Sequence, residues 1–279
     1  MNLIRALTAL PVLALPVAMP IPWNWKGVAL GIAIWAILSD LNFVMHQHVH
    51  CRLTTSKSVN KVIDMLLGCV TGMSASNWRQ HHIVRHHMHD ESWSRPFKWE
   101  LEKATFARAA SYSLRYGCVM LVLPVQEAFW KGLVKRERHP LDFVAALGEH
   151  AFICGLMIVL VCLQPWFYGP YYLLVYFFTA MADYENHVGC DETEHGFSKN
   201  CTNALYNRVR DNFGYHTAHH YFPDAHWTRL PELHDSIATK IPADRISNRP
   251  WTGFLTVPIV IFGWCYLTSK LRVRQRKIR

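Results

Sequence analysis

Three histidine clusters carry the side chains of this sequence best suited to chemistry: His46-Gln-His-Val-His50, His81-His82-Ile-Val-Arg-His86-His87-Met-His89 and His216-Thr-Ala-His219-His220. Neutral imidazole is the commonest transition-metal ligand, and a spacing of three or four puts two rings on one helix face. His46 and His50 are so spaced, whereas His48 lies about 200° round from His46 and is read as a non-ligand. In the second cluster His82 and His86 share a face with His87 adjacent, and these three are preferred over His81 and His89. His216, His219 and His220, at i, i+3 and i+4, can converge on one ion. Eight or more nitrogens exceed the three ligands of a hydrolytic zinc site and point to two metals. Zinc, copper, iron and nickel all accept imidazole, so the residues leave the identity open. A single histidine near a membrane interface commonly snorkels or satisfies local hydrogen bonds. Three clusters at helical spacing ask for more than that.

The elements that must position these clusters are apolar. Of 279 residues, 51% are apolar and 18% charged, which favours a membrane protein. Runs at about 3–21, 27–45, 143–163 and 166–182 have the length a helix needs to cross the hydrocarbon. Arg5 before the first run could open a signal peptide, but no small-residue cleavage site follows and Pro11, Pro16, Pro20 and Pro22 interrupt it, so the run is read as retained. Trp23, Trp25, Trp166, Tyr168 and Tyr171 are placed in aromatic belts away from the histidines. Segments 46–140 and 183–250, with all three clusters, fall on the cytoplasmic side by the positive-inside rule. Within them Val62 to Ala75 and Ser111 to Trp130 are read as interfacial or re-entrant helices, and the apolar stretch 251–268 as interfacial, because a crossing would put the basic tail Arg272 to Arg279 outside. The expected fold is all-α and integral to the membrane: one domain over 1–279, with four transmembrane helices, interfacial helices and a cytoplasmic cap bearing the histidines.

The formal charge of +9 is gathered beside apolar runs, at Lys131, Lys135, Arg136 and Arg138 and at 272–279, which suits anionic headgroups and not nucleic acid. Eight cysteines, at 51, 69, 118, 154, 162, 190, 201 and 265, form no C-x-x-C pair and are read mostly as small buried residues.

The order H-x-x-x-H (His46, His50), H-x-x-x-H-H (His82, His86, His87) and H-x-x-H-H (His216, His219, His220), between pairs of apolar runs, resembles the three histidine boxes of the integral-membrane fatty acid desaturase and hydroxylase superfamily. The stretch from Asn212 to Pro231 resembles the third-box neighbourhood of bacterial fatty acid desaturases and of carotenoid ketolases. Asp183-Tyr-Glu-Asn-His-Val-Gly189 is similar to the segment that supplies a further histidine ligand in membrane alkane monooxygenases, which adds His187 as a ninth ligand. The resemblance implies a bacterial inner-membrane enzyme in which two irons reduce O2 and remove hydrogen from a fatty acyl chain. It also implies a separate electron donor, a ferredoxin, rubredoxin or cytochrome-type carrier fed by an NAD(P)H reductase, since the chain has neither a G-x-G-x-x-G loop nor cysteine pairs. Many acyl-CoA desaturases have H-x-x-x-x-H and H-x-x-H-H in the first two boxes. The three intervening residues found here are closer to acyl-lipid desaturases and alkane monooxygenases. Desaturation is the leading reading, with hydroxylation, monooxygenation or ketolation as variants.

Asp40, Asn42, Glu149, His150, Asn186, Asp211 and Asn212 are candidates to orient the ligands from behind, as carboxylates and amides do in metal sites, with hydrated helix ends as the alternative. His195, His226 and His234 are read as surface or structural. A metal transporter is the competing class; it would place polar ligands at mid-membrane, yet the runs beginning at Leu3, Gly27 and Trp166 have no charge near their middles.

Overall fold

The computed structural model describes residues 2–22, 24–87, 95–127, 140–191 and 193–249. Trp23, His89, Cys265, the basic clusters at 131–138 and 272–279 and the apolar segment 251–268 lie outside them. In chain order the helices are α1 (Asn2–Ala18), α2 (Trp25–His50), α3 (Lys57–Thr71), α4 (Ala75–Trp78), a π-helix (Arg79–His86), α5 (Lys98–Glu102), α6 (Phe106–Glu127), α7 (Pro140–Leu163), α8 (Pro165–His187), α9 (Ala204–Val209), α10 (His216–Tyr221) and α11 (Leu230–Ile237). Single 3-10 turns join some of them. The all-α expectation misses one detail: Asn200–Cys201 (β1) and Ile246–Ser247 (β2) pair in parallel.

The four expected spans coincide with α1, α2, α7 and α8. Two stretches, Trp25–His50 and Phe143–Leu163, are long and apolar enough to cross a bilayer, and α1 is a shorter apolar helix. Large apolar side chains point outward, among them Ile4, Val144, Ile158 and Leu173, each at least 60% exposed. A soluble surface rarely carries such density. Local signals set the helix ends. The Asn24 side chain caps α2 by accepting from Gly27 N–H, and Pro165 at the first turn of α8, separated from the end of α7 by Gln164 alone, makes the hairpin.

α1 is part of the core: Ala6, Ala9 and Leu13 are buried. Arg5, the charge that could have begun a signal peptide, pairs with Asp40 of α2 and, at 2.6 Å, with Asp211 in the loop before the third cluster. The first, second and penultimate parts of the fold are thereby tied at one point.

α3 lies inside the bundle. It packs against α1, α2, α7 and α8, and its carboxyl end is buried in the bundle, where water cannot satisfy the last carbonyls of a helix. Tyrosines of α8 do so instead: Tyr171 donates to Val70 O at 2.6 Å, Tyr172 to Cys69 O at 2.8 Å and Tyr176 to Gly72 O. Gly72 ends α3 with φ 71°, a left-handed conformation that glycine alone adopts without strain, and a Cβ there would press on Met157 and Tyr172. The aromatic-belt assignment of Tyr168 and Tyr171 is accordingly corrected. Both are buried, Tyr168 donating to Leu13 O of α1 and Tyr171 to Val70 O of α3, because each hydroxyl serves a buried backbone carbonyl and not the interface. Trp25 and Trp166 are exposed, as a belt requires. α6 also enters the bundle, lying along α8 in the most extensive helix pair.

Among the seven described cysteines, all free, Cys69 and Cys201 are buried while Cys118 and Cys162 are exposed. The expectation of mostly buried cysteines fails because the outer faces of these helices are themselves apolar, so a thiol costs little there.

Arg5→Ala leaves Asp40 and Asp211 without their shared cation, which costs roughly 3 kcal/mol for a partly buried carboxylate pair. Thermal unfolding of the detergent-solubilised protein is expected to show a midpoint lowered by several degrees, and an unchanged midpoint would show that the Arg5 pairing adds nothing to stability.

Candidate metal centre

The buried ends of α2 and α8, the π-helix and α10 meet at one end of the bundle, and nine histidines from them form two groups. His46, His50, His82, His87 and His219 make the first; His86, His187, His216 and His220 make the second. Within each group the ring nitrogens lie within 4.8 Å of one another. The groups adjoin, the His87 and His220 rings stacking with centroids 4.2 Å apart. The first and third clusters, over 160 residues apart in sequence, touch: the His46 and His219 centroids are 4.7 Å apart.

Each helix sorts its histidines by its own geometry. On α2 the four-residue spacing puts His46 and His50 in the same group, as expected. The second cluster departs from expectation because its backbone is not α-helical. A wide turn closed by His87 N–H donating to His82 O at 3.0 Å brings residues five apart onto one face, so the His82 and His87 Nε2 atoms are 3.0 Å apart while His86 turns to the second group. Such π-turns concentrate at functional sites. α10 lies between the groups: His216 and His220 join the second and His219 the first. The three do not converge on one ion, because a short helix wedged between two sites presents one side to each.

The loop that aims α10 is strained. Asp211 and Asn212 adopt φ of 49° and 66°, left-handed conformations that cost a non-glycine residue energy and persist where surroundings enforce them. Arg5 holds the Asp211 carboxylate, and Asn212 Nδ2 donates to Trp227 O at 3.0 Å.

Does this donor set suit metal ions? The Nε2 atoms of His46, His50 and His219 are buried without a hydrogen-bond partner, an expensive state unless an ion accepts the lone pairs. In the second group His216 Nε2 lies 3.1 Å from Nε2 of both His187 and His220. Two nitrogens at right angles on one ion, each about 2.1 Å from it, stand about 3.0 Å apart. The His187 Nδ1 faces Phe197 O at 3.0 Å, which holds the proton there and leaves Nε2 its lone pair. Burial first, then neighbouring rings, hold His82, His86, His87, His216, His219 and His220 well below the usual 6.5, so they are neutral at pH 7. Trp78 and Phe213 pack edge-on to these rings, and Phe197 against His220. On all these counts the residues fit two ions. A narrow cleft of about 20 Å³, lined by Phe43, His46, His50, Phe213, His219 and Trp227 among others, opens beside the first group.

The residues expected behind the ligands are mostly one step further out. Glu149 accepts from Lys61 Nζ at 2.6 Å and from Ser76 N–H and Oγ, so it pins the start of α4, the helix that runs into the π-turn. Asp40 and Asp211 share Arg5. His150 lies near Cys154 on α7, Asn186 accepts at its backbone carbonyl from Lys199 N–H, and Asn42 is half-buried on α2. None of the seven belongs to either group. His48 is outside both as well: its Nδ1 accepts from Leu53 N–H and its Nε2 is 3.2 Å from Asp64. His81 meets the Tyr116 hydroxyl. His195 stacks on Tyr221 and His226 on Trp227, while His234 packs at a tilt against Tyr215.

Sequence reasoning overlooked Asp183. Its Oδ1 lies 3.5 Å from His86 Nε2, and its other oxygen accepts from the Tyr112 hydroxyl. A position one helical turn before His187, at the end of an apolar run, could have signalled it. Tyr112 has no such signal, because only packing of α6 on α8 brings it there.

The low basicity of the six rings has a pH consequence. An unfolded chain protonates these histidines near 6.5 and the folded one does not, so stability is fully present above 6.5 and is lost as pH falls from there toward the depressed folded values. The melting midpoint of chelator-stripped protein is expected to be flat between pH 7 and 8 and to fall steeply below 6.5. Asp183→Asn is expected to lower metal affinity roughly 10- to 100-fold in a competition titration, with an unchanged fold.

No curated protein and no solved structure matched the chain. The sequence model of the family described as fatty acid desaturase matches residues 21–252, which contain all nine grouped histidines and every helix from α2 to α11. That match covers most of the sequence, and the chain belongs to the fatty acid desaturase family, a family of oxidoreductases.

Proposed function

We propose that the nine histidines hold two irons and that the protein is an O2-dependent desaturase of a fatty acyl lipid. The two adjoining all-histidine groups carry this reading. His46, His50, His82, His87 and His219 would hold one ion, and His86, His187, His216 and His220 the other. When bound, the irons would supply the O2-reducing power that takes hydrogen from an unactivated carbon. The protein keeps the ligands neutral by burying them, and excludes water with Trp78, Phe197 and Phe213. Asp183, oriented by Tyr112, sets a carboxyl group beside the ligands of the second group. The open cleft beside the first group is a candidate path to it.

In this reading α1, α2, α7 and α8 span a membrane, with 46–140 and 183–250 on the cytoplasmic face. Supporting it, the histidine-bearing ends of α2 and α8 lie at one end of the bundle, and outward side chains on these helices are apolar. Electrons come from a separate carrier protein. The apolar depth of the bundle favours a hydrocarbon substrate over a polar one.

Lipids of a host making this protein are expected to contain unsaturated acyl species missing from a host making His219→Ala. Oxygenated species in their place would reassign the enzyme to hydroxylation or ketolation, and identical products from both hosts would remove the enzymatic reading. Purified protein is expected to hold two irons per chain, fewer in His187→Ala and the same number in His195→Ala.

A further inference from the structure

Behind the second histidine group, on the side of Asn186, lies a polar pocket of about 230 Å³ whose lining includes Lys199, Arg245, Arg249, Asn186, Glu185 and Asp244. Nothing in the proposed oxidative chemistry uses it. Its donors are unsatisfied: Arg245 Nε and Asn186 Nδ2 are buried without a hydrogen-bond partner. The Asp244 carboxylate stands 3.7 Å from Arg245 Nε, beyond hydrogen-bond reach. Lys199 is desolvated, which holds its ammonium below the usual lysine range, and it makes no ion pair among the described residues. Arg245 is itself held in place, donating to Gly189 O at 2.7 Å and facing Asp191 at 3.6 Å. Buried donors of this kind cost free energy until an acceptor arrives.

Three donor groups in one concavity, two of them cationic, suit the several oxygens of a phosphate. The two carboxylates on the same lining would repel a bare dianion, yet would accept from an ammonium or hydroxyl carried on an ester. We propose that this pocket binds the phosphate oxyanion of a phosphate ester, with Lys199, Arg245 and Asn186 as its donors. The site is separate from the metal ligands, and its occupancy does not depend on them.

Calorimetric titration of the full-length protein in detergent with sn-glycero-3-phosphoethanolamine, and separately with inorganic phosphate, tests this. Lys199→Gln removes the ammonium without touching the Arg245 contacts that hold the loop. Loss of one charge-assisted bond is expected to weaken ester binding about tenfold, while Arg229→Ala, an exposed cation elsewhere, leaves it unchanged. Native mass spectrometry of protein from phosphatidylethanolamine nanodiscs separates the sources. Retained phospholipid that Lys199→Gln loses supports a lipid headgroup, and binding of the soluble ester without retained lipid supports a free phosphate ester. Binding of neither probe, or equal binding by wild type and Lys199→Gln, overturns the proposal. These readouts measure binding alone, so an inactive protein that binds the ester would sink the desaturase reading and leave this one standing.

Discussion

Nine imidazoles turned toward one another inside a protein are a liability that the rest of the fold has to hold in place. Ring nitrogens at 3.0–3.1 Å, several of them without a proton to share, are separated from water by a collar of Trp78, Phe197 and Phe213. An arrangement of this kind is stable when cations occupy the spaces between the lone pairs, and it must be built rigidly enough that the rings cannot turn away to solvent. The architecture follows from that demand.

Rigidity comes from polar ties placed where the backbone would otherwise be unsatisfied. Three tyrosines of α8 close the buried carboxyl end of α3, and Glu149 of α7 closes the amino end of α4. Between those two anchors the chain makes a tight return at Gly72 and emerges into the π-turn that divides His82 and His87 from His86. On the opposite side Arg5 joins α1 and α2 to the left-handed pair Asp211 and Asn212, which aims α10 between the two groups. Histidines from four parts of the chain are thus fixed by residues that belong to neither group. The two groups also differ: the first is purely imidazole, whereas the second has Asp183 and its Tyr112 partner alongside, so ions held there would experience different fields.

Much of this was legible in the sequence, because periodicity and length are one-dimensional properties. The four apolar runs announced α1, α2, α7 and α8 to within a few residues, and the four-residue interval of His46 and His50 announced a shared helix face. The histidine pattern pointed to the family, and the nine residues it implied are the nine that meet. Asp183 and Tyr112 were not legible as partners, since a contact between α6 and α8 leaves no trace in local spacing. Tyr168 and Tyr171 were misplaced for a related reason: an aromatic residue near the end of an apolar run looks the same whether its hydroxyl seeks a headgroup or a buried carbonyl.

By itself, then, the sequence determined which segments are apolar, which residues can ligate, and that the ligating segments follow helical spacing, because these depend on residue type and on intervals along the chain. Only the tertiary structure decided how the histidines are shared out. Whether His86 sits with His82 or across from it turns on one extra residue in a helical turn, and whether His219 joins His216 turns on where α10 is wedged. Those outcomes are set by the packing of distant helices against the turn, which no local interval encodes.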